Sequence, residues 1–264
     1  MEREQIRISV RNLVEFILRS GDIDNRRASL DTMEAMQAGS RLHRKIQKKM
    51  GSTYHAEVPL NIIIEEENYE LGIWGRADGI IIEETVTIDE IKGVYLSLDL
   101  LEEPVKVHLA QAKCYAYIYG IQNDLQKINV QMTYGNLDTG DLKYFSYEYS
   151  MQQLQEWFSD LILKYKKWAD FQYEWRKKRQ ASIKELAFPF PYREGQKELA
   201  AGVYRTIARK KNLFIQAPTG VGKTISTLYP AIKAVGEGLG DKIFYLTAKT
   251  VTANVAKETL GILC

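Results

Sequence analysis

The chain of 264 residues is poor in cysteine, and this shortage excludes several classes of protein. Cys114 and Cys264 are too few for a disulfide framework, a four-thiolate zinc site or an iron–sulfur cluster. Any metal that the protein uses should therefore prefer oxygen ligands. The formal net charge of +2 neither favours nor excludes nucleic acid, because binding depends on where positive charge clusters.

Long apolar runs are also absent. The longest, such as Ile80-Ile81-Ile82, are too short to span a bilayer, and residues 1–5 are charged rather than apolar as in a signal peptide. We expect a soluble, cytoplasmic protein with no membrane partner. No pattern in the sequence indicates its oligomeric state.

Hydrophobic periodicity predicts an α/β protein. We expect helices over residues 8–19 (capped by Ser9 and ended by Gly21), 32–50, 107–119 (closed by Gly120) and 150–178. Strands are predicted at 58–64, 69–82, 85–92, 128–134 and near Tyr144.

The segment Phe188-Pro189-Phe190-Pro191 breaks any helix and marks a predicted domain boundary. Beyond it the pattern is helix, strand (212–216), glycine loop, helix and strand (242–248), which is typical of the start of a parallel α/β sheet. We therefore predict domains at 1–150 and 189–264, joined by a helical connector at 151–188.

Three charged residues of one predicted hairpin suit a metal site. If the turn centres on Glu84, Asp78 lies opposite Glu90, with their Cβ atoms roughly 5 Å apart, and Lys92 shares the same face. Two acids and a lysine fit Mg²⁺-assisted phosphodiester hydrolysis, in which the acids hold the metal and the lysine positions water or neutralises charge. The alternative is a surface hairpin with solvated charges.

With AQAKCY after the hairpin, residues 8–150 resemble the PD-(D/E)XK nuclease superfamily, in particular its RecB-like branch. The helix that follows the hairpin in that branch carries a Gln-x-x-x-Tyr motif, which Gln111 and Tyr115 match. The resemblance implies a mixed sheet flanked by helices and a catalytic set consisting of Asp78, Glu90, Lys92, Gln111 and Tyr115. Ordinary helix packing is the alternative role for Tyr115.

The same branch has a helical histidine upstream of the hairpin, and His43 matches it. The resemblance implies that Mg²⁺ or Mn²⁺ binds to His43, Asp78 and Glu90, whereas a lone inward histidine is otherwise more often a core residue. RecB-like sequences often carry threonine after the catalytic lysine, where this chain has Gly93. A catalytically inactive nuclease fold that binds DNA is therefore the alternative function.

Residues 217–224, APTGVGKT, form a P-loop in which Ala217 replaces the first glycine, as in superfamily 2 helicases. Gly220 and Gly222 let backbone N–H groups surround phosphate, Lys223 reaches the β and γ phosphates, and Thr224 coordinates Mg²⁺ at a helix N-terminus. The alternative is a chance glycine turn. The resemblance implies that ATP with Mg²⁺ binds to Pro218, Thr219, Gly220, Val221, Gly222, Lys223 and Thr224.

Two flanking segments extend this resemblance to XPD/DinG-like helicases. FPYREGQKELA resembles their element before the P-loop, which implies that Gln196 and Arg193 read adenine; helix capping and surface charge are the alternative. KIFYLTAKT resembles motif Ia, with Thr247, Lys249 and Thr250 as candidate contacts to single-stranded DNA.

The basic run 176–179 beside Trp168 and Trp175 fits either a DNA-binding surface or, as we prefer, a solvated helix face with buried tryptophans. Together the motifs predict a DNA-processing nuclease–helicase, with DNA and ATP as partners and DNA repair, recombination and defence as possible settings. The Asp-Glu-x-His motif of the motor does not occur before Cys264, so we expect neither unwinding nor DNA-stimulated ATPase from this segment alone.

Overall fold

The computed structural model describes residues 3–21, 31–218 and 220–263. The chain divides into two compact units, Met1–Asp170 and Phe171–Cys264, and the predicted boundary at 188/189 falls within the second. Within the described residues, no helix is both long and apolar enough to cross a membrane.

The first unit is built on a mixed six-stranded sheet. One edge of strand β3 pairs with β2 from end to end except at Glu57 and Asp78. Its other edge pairs with β1 at residues 70–74 and with β4 at residues 79–81. The β1/β3 and β4/β5 pairs are parallel, whereas β2/β3, β3/β4 and β5/β6 are antiparallel. The strands are β1 (Gln5–Ser9), β2 (Tyr54–Glu65), β3 (Glu70–Ile81), β4 (Thr87–Val94), β5 (Lys127–Asn136) and β6 (Leu142–Ser150).

Helices flank this sheet: α1 (Val10–Leu18), α2 (Asp31–Gln47), α3 (Lys106–Gln122) and the start of α4 (Met151–Lys184). Ser9 caps α1 as predicted, because its Oγ accepts a hydrogen bond of 3.2 Å from the Asn12 N–H. The α1 prediction began too early, since residues 8 and 9 belong to β1. The buried side chains of sheet and helices form the core, and they include Leu13, Ile73, Ile88, Ile118 and Met132.

Helix α3 does not end at Gly120, as its glycine predicted, but continues to Gln122. A Cβ on Gly120 would lie 2.3 Å from the Met151 sulfur, so the glycine makes room for the side chain that begins α4. Gly120 is therefore a packing residue in α3 rather than its end.

The second unit contains the end of α4 together with α5 (Gln196–Ala208), α6 (Lys223–Gly236) and α7 (Thr250–Leu263). Leu228, Ala256 and Leu263 form its buried cluster. The strands predicted at 212–216 and 242–248 are wrong: neither segment is paired within the described part of the chain. A strand requires a hydrogen-bonded neighbour, and apolar β-prone residues alone do not supply one.

Candidate metal and nucleotide sites

The β3/β4 hairpin brings Asp78 beside Glu90. Its ladder pairs Gly79 with Asp89, a register in which the next facing pair is Asp78 and Glu90, so the predicted hairpin register is confirmed. The regular ladder ends at Gly79, and the Asp78 Oδ2 atom instead accepts a hydrogen bond of 2.9 Å from the Ile91 N–H. This bond fixes the orientation of the Asp78 carboxylate.

Glu90 is a buried carboxylate with one oxygen in use. Its side chain is 1% exposed, and its Oε1 atom lies 2.7 Å from the Lys92 ammonium. Its Oε2 atom has no hydrogen-bond partner among the residues that the structure describes. Burial raises the pKa of Glu90 to about 8, against the effect of Lys92 and with a further increase from Asp78.

Lys92 links the hairpin to α3. Its Nζ atom donates to Glu90 and, over 3.2 Å, to the amide oxygen of Gln111. Tyr115, one turn further along α3, lies at 3.5 Å from the Gln111 amide nitrogen and accepts a bond of 3.3 Å from the Arg76 N–H. Burial raises the pKa of Tyr115 to about 12, so the phenol is neutral at physiological pH.

Helix α2 contributes His43, whose Nδ1 atom is 3.4 Å from the Asp78 Oδ1 atom. A third residue joins them: His43, Glu57 and Asp78 each offer a ligand atom, and these atoms all lie within 4.8 Å of one another. Sequence reasoning missed Glu57, because it precedes the apolar run of β2. Only the pairing of β2 with β3 shows that residue 57 lies across from Asp78.

These residues fit a divalent cation. The donor set of one imidazole and two carboxylates suits Mn²⁺, and the carboxylates suit Mg²⁺. Glu90 lies outside the three-residue group, but its buried Oε2 atom, which no residue in the described part of the chain satisfies, is a further donor.

A cleft of about 390 Å³ adjoins these residues. Lys92, Gln111 and His43 line it together with Arg11 and His108. The His108 Nδ1 atom is 3.0 Å from the Tyr134 hydroxyl, and burial, aided by the positive charges of Lys92 and Arg11, lowers the His108 pKa to about 4. The cleft therefore presents Lys92 and Arg11 as its cationic groups, beside a neutral imidazole.

The P-loop connects to helix α6. Gly220 and Gly222 have φ angles of +88° and +76°, which side-chain-bearing residues rarely adopt, and Lys223 is the first residue of the helix. The Lys223 Nζ atom donates to the carbonyls of Ala217 and Pro218, both over 2.8 Å. Val221 lies between the two glycines and Thr224 is the second residue of α6, whereas Thr219 lies outside the described residues.

This loop fits a nucleotide phosphate. The N–H groups at the start of a 14-residue helix are free of intrahelical partners, and nothing lies within 4 Å of the position that a Cβ on Gly220 would take. The exposed Lys223 satisfies its ammonium with two loop carbonyls, which a phosphate would replace as acceptors.

Arg193 and Gln196 contact the loop itself. The Arg193 guanidinium donates to the Gly220 carbonyl, and the Gln196 amide nitrogen lies 3.4 Å from the Val221 carbonyl. Gln196, only 5% exposed, also accepts a bond of 3.0 Å from the Arg193 N–H at the start of α5. Helix α5 begins after Gly195, which has no side-chain cap hydrogen bond, so these contacts tie both residues to the P-loop rather than cap the helix. Adenine recognition by the two residues stays a prediction.

The basic run of α4 makes specific ion pairs. Arg176 and Arg179 both approach the Asp241 carboxylate, at 3.4 and 3.1 Å. The expectation of buried tryptophans is wrong, because Trp168 and Trp175 are 42% and 56% exposed. The buried side of α4 in this region carries Tyr165, Ala169 and Tyr173 instead.

The predicted motif Ia residues lie at the start of α7. The Thr247 hydroxyl donates to the Lys249 carbonyl over 3.2 Å, and Thr250 is the first residue of the helix. Lys249 and Thr250 are exposed. Their contact with DNA stays a prediction.

Comparison with known proteins gives a short sequence match and distant structural likenesses. No protein-family profile matches the chain. A stretch of 51 residues is 51% identical to a probable ATP-dependent helicase, MJ0942, of Methanocaldococcus jannaschii; the match covers 19% of this chain and 8% of the helicase. A structure titled "Crystal structure of SSO0001" is similar with a TM-score of 0.38 and 19% identity, over 62% of this chain and 78% of that one, which is too distant to support an argument.

Proposed function

We propose that the first unit is a Mg²⁺- or Mn²⁺-dependent DNA nuclease with a RecB-like PD-(D/E)XK fold. The observation that carries the proposal is Glu90, a buried carboxyl group beside Asp78 that binds Lys92 and has an oxygen without a partner among the described residues. Burying an unsatisfied carboxylate is costly, so its retention favours a ligand that satisfies it. A bound cation would supply a water of lowered pKa at the scissile phosphate.

The protein's own groups have distinct tasks in this proposal. The Ile91 N–H fixes the Asp78 carboxylate, and Gln111 holds the Lys92 ammonium beside Glu90. Lys92 is thereby placed to neutralise charge that develops on a phosphate in the cleft. The phenol of Tyr115 orients Gln111 from the next turn of α3 and remains protonated.

The proposal predicts that Asp78→Asn, Glu90→Gln and Lys92→Ala each reduce metal-dependent DNA cleavage by about 100-fold or more, because each removes one charge from the site. Glu65→Gln is the matched control, since Glu65 lies exposed at the far end of β2. Cleavage of single-stranded and duplex DNA should be measured with Mg²⁺ and with Mn²⁺. Undiminished cleavage in any of the three variants would reject the assignment.

The alternative function, an inactive nuclease fold that grips DNA, is separated by the same assay. The Glu90 oxygen left without a partner argues for a metal-binding site rather than for a purely structural hairpin. An inactive module would bind DNA equally well with and without metal, and it would release no cleaved product from the wild-type chain.

We infer a second function for residues 189–264, ATP binding by the first part of a RecA-like helicase domain. The conformation of the P-loop and the short similarity to a helicase support it. DNA and ATP are then the partners, and Mg²⁺ accompanies ATP at Thr224.

Lys223→Ala should weaken ATP binding and leave nuclease activity intact, whereas Lys257→Ala on the exposed surface of α7 should change neither. Unchanged ATP affinity in Lys223→Ala would exclude this site.

A further inference from the structure

Glu57, near the start of strand β2, has an unusual backbone conformation. Its φ angle is +57°, in the left-handed region that residues with a Cβ seldom adopt. The β2/β3 ladder pairs Ala56 with Gly79 and Val58 with Ala77 but omits the pair between them, Glu57 and Asp78. The distortion of β2 is therefore centred where it faces Asp78, and such distortions persist where function requires them.

Specific contacts hold the Glu57 carboxylate next to Asp78. Its Oε2 atom lies 2.6 Å from the Arg76 guanidinium, and its Oε1 atom accepts a bond of 3.2 Å from the Gln47 amide. The same amide of Gln47 donates to the Asp78 carbonyl over 3.0 Å. Gln47 thus fastens the backbone of Asp78 and the side chain of Glu57 to the end of α2, the helix that carries His43.

The charges of this corner are not balanced. Arg76 pairs with Glu57 and Lys92 pairs with Glu90, so among the described residues no lysine or arginine forms an ion pair with Asp78. The half-buried His43 imidazole turns a ring nitrogen toward Asp78. Glu90, separate from the Glu57 group, has a buried oxygen that is unpartnered within residues 3–21, 31–218 and 220–263, and the charge of Asp78 acts on it. The excess of carboxylates and the unsatisfied Glu90 oxygen both favour a bound cation at this site.

We propose that Glu57 is a carboxylate ligand of the divalent cation that His43 and Asp78 bind, and that Arg76 is its counter-ion until the cation arrives. The inference rests on the metal site of the proposed function and adds to it a ligand from β2. Glu57 would offer the cation the oxygen that now pairs with Arg76, and the largely exposed Arg76 guanidinium would then be hydrated by solvent.

The test measures Mn²⁺ binding to the full chain by calorimetry, without DNA. Glu57→Gln keeps the shape of the side chain and its bond with Gln47, and it should weaken Mn²⁺ binding at least about tenfold, since even residues that only orient metal ligands cost that much. Glu65→Gln, on the same strand, is the control and should bind as the wild type does. Arg76→Ala should strengthen binding, a gain that misfolding cannot produce.

The double variant Glu57→Gln/Arg76→Ala decides how Arg76 acts. If Arg76 competes through Glu57, its removal brings no gain once Glu57 is gone; if it only repels the cation, the gain remains and the counter-ion role is overturned. Binding that His43→Ala and Asp78→Asn abolish but Glu57→Gln leaves unchanged overturns the ligand role of Glu57 alone. A wild-type chain that binds no Mn²⁺ overturns the metal site itself.

Discussion

Two adjacent buried carboxylates on β4 have opposite hydrogen-bonding environments. Asp89 accepts bonds from Tyr54 at 3.0 Å and Gln131 at 3.2 Å, and a further bond from the Thr133 hydroxyl. Glu90 accepts a hydrogen bond from Lys92 on one oxygen, and its other oxygen has no partner in the part of the chain that the structure describes. Burial raises the pKa of both residues, but only Asp89 is compensated by neutral donors. Asp89 is therefore part of the scaffold, and Glu90 retains capacity to bind a ligand.

His108 should make stability depend on pH. Its pKa is lowered from 6.5 to about 4 in the folded protein, mainly by burial. Between these values the unfolded chain takes up a proton that the folded chain refuses, so the free energy of unfolding falls as the pH falls from 6.5 towards 4. The loss should approach roughly 3 kcal/mol at the acid end of this window.

Urea unfolding of His108→Asn across this pH range checks the expectation. Asparagine keeps an acceptor near the Tyr134 hydroxyl, so its own cost should be small above pH 6.5. Relative to the variant, the wild-type chain should lose stability only as the pH is lowered. The exposed His55→Asn is the control, and an identical pH dependence of wild type and His108→Asn would contradict the prediction.

At the scale of elements, local sequence patterns predicted the structural features whose interacting residues are close in sequence. The β3/β4 register followed from a short turn, and the positions of Gln111 and Tyr115 followed from helical spacing. The mixed sheet flanked by helices is likewise observed. The hairpin register and the helical spacing depend on residues that are neighbours in the sequence, which a single sequence displays directly.

Pairing between distant segments was not predictable in the same way. β1 is only five residues long, and it forms because β3, more than 60 residues later, offers an edge. The role of Glu57 required the β2/β3 register. Conversely, residues 212–216 have the composition of a strand but are unpaired in the described chain, and Phe214 is 96% exposed. The composition of a segment shows its tendency to form a β-strand, whereas the presence of a neighbouring strand to pair with depends on the whole fold.

The packing of β2 against β3 gives a prediction at this scale. A Cβ on Gly79 would lie 1.9 Å from the Tyr54 hydroxyl, the group that donates to Asp89. Gly79→Ala should therefore displace Tyr54 and destabilise the protein by about 1–3 kcal/mol, with a further cost from the weakened Asp89 bond. Thermal unfolding measures the loss.

Gly72→Ala on the same strand is the matched control. The nearest atom to its added Cβ, the Arg7 Cγ, lies 3.6 Å away, which is ordinary contact. This variant should unfold at the wild-type temperature or slightly above it, because alanine restricts the unfolded chain. Equal destabilisation by the two substitutions would show that the Tyr54 contact does not constrain Gly79.

At the scale of the whole molecule, each proposed site is contained in one unit. His43, Glu57, Asp78, Glu90 and Lys92 lie in the first unit, and the P-loop with Arg193 and Gln196 lies in the second. Among the described residues, all the side chains named for each site come from one unit. Separately folded units lose and keep their functions independently, so substitutions in one should leave the other unchanged.

The two units should also differ in resistance to protease. In the second unit, segments 211–218 and 241–247 contain neither helix nor strand, and Phe214, Phe244 and Leu246 are 96%, 81% and 90% exposed. Chymotrypsin cleaves after such residues when the backbone is accessible, whereas the strands of the first unit are paired in one sheet. The first cuts should therefore fall at Phe214, Phe244 or Leu246, leaving a stable fragment that retains β1–β6.

Mass spectrometry of a digestion time course identifies the cuts. ATP with Mg²⁺ should slow the cut at Phe214, which lies shortly before the P-loop. Initial cleavage inside the sheet, with the second unit intact, would contradict this assignment of stability.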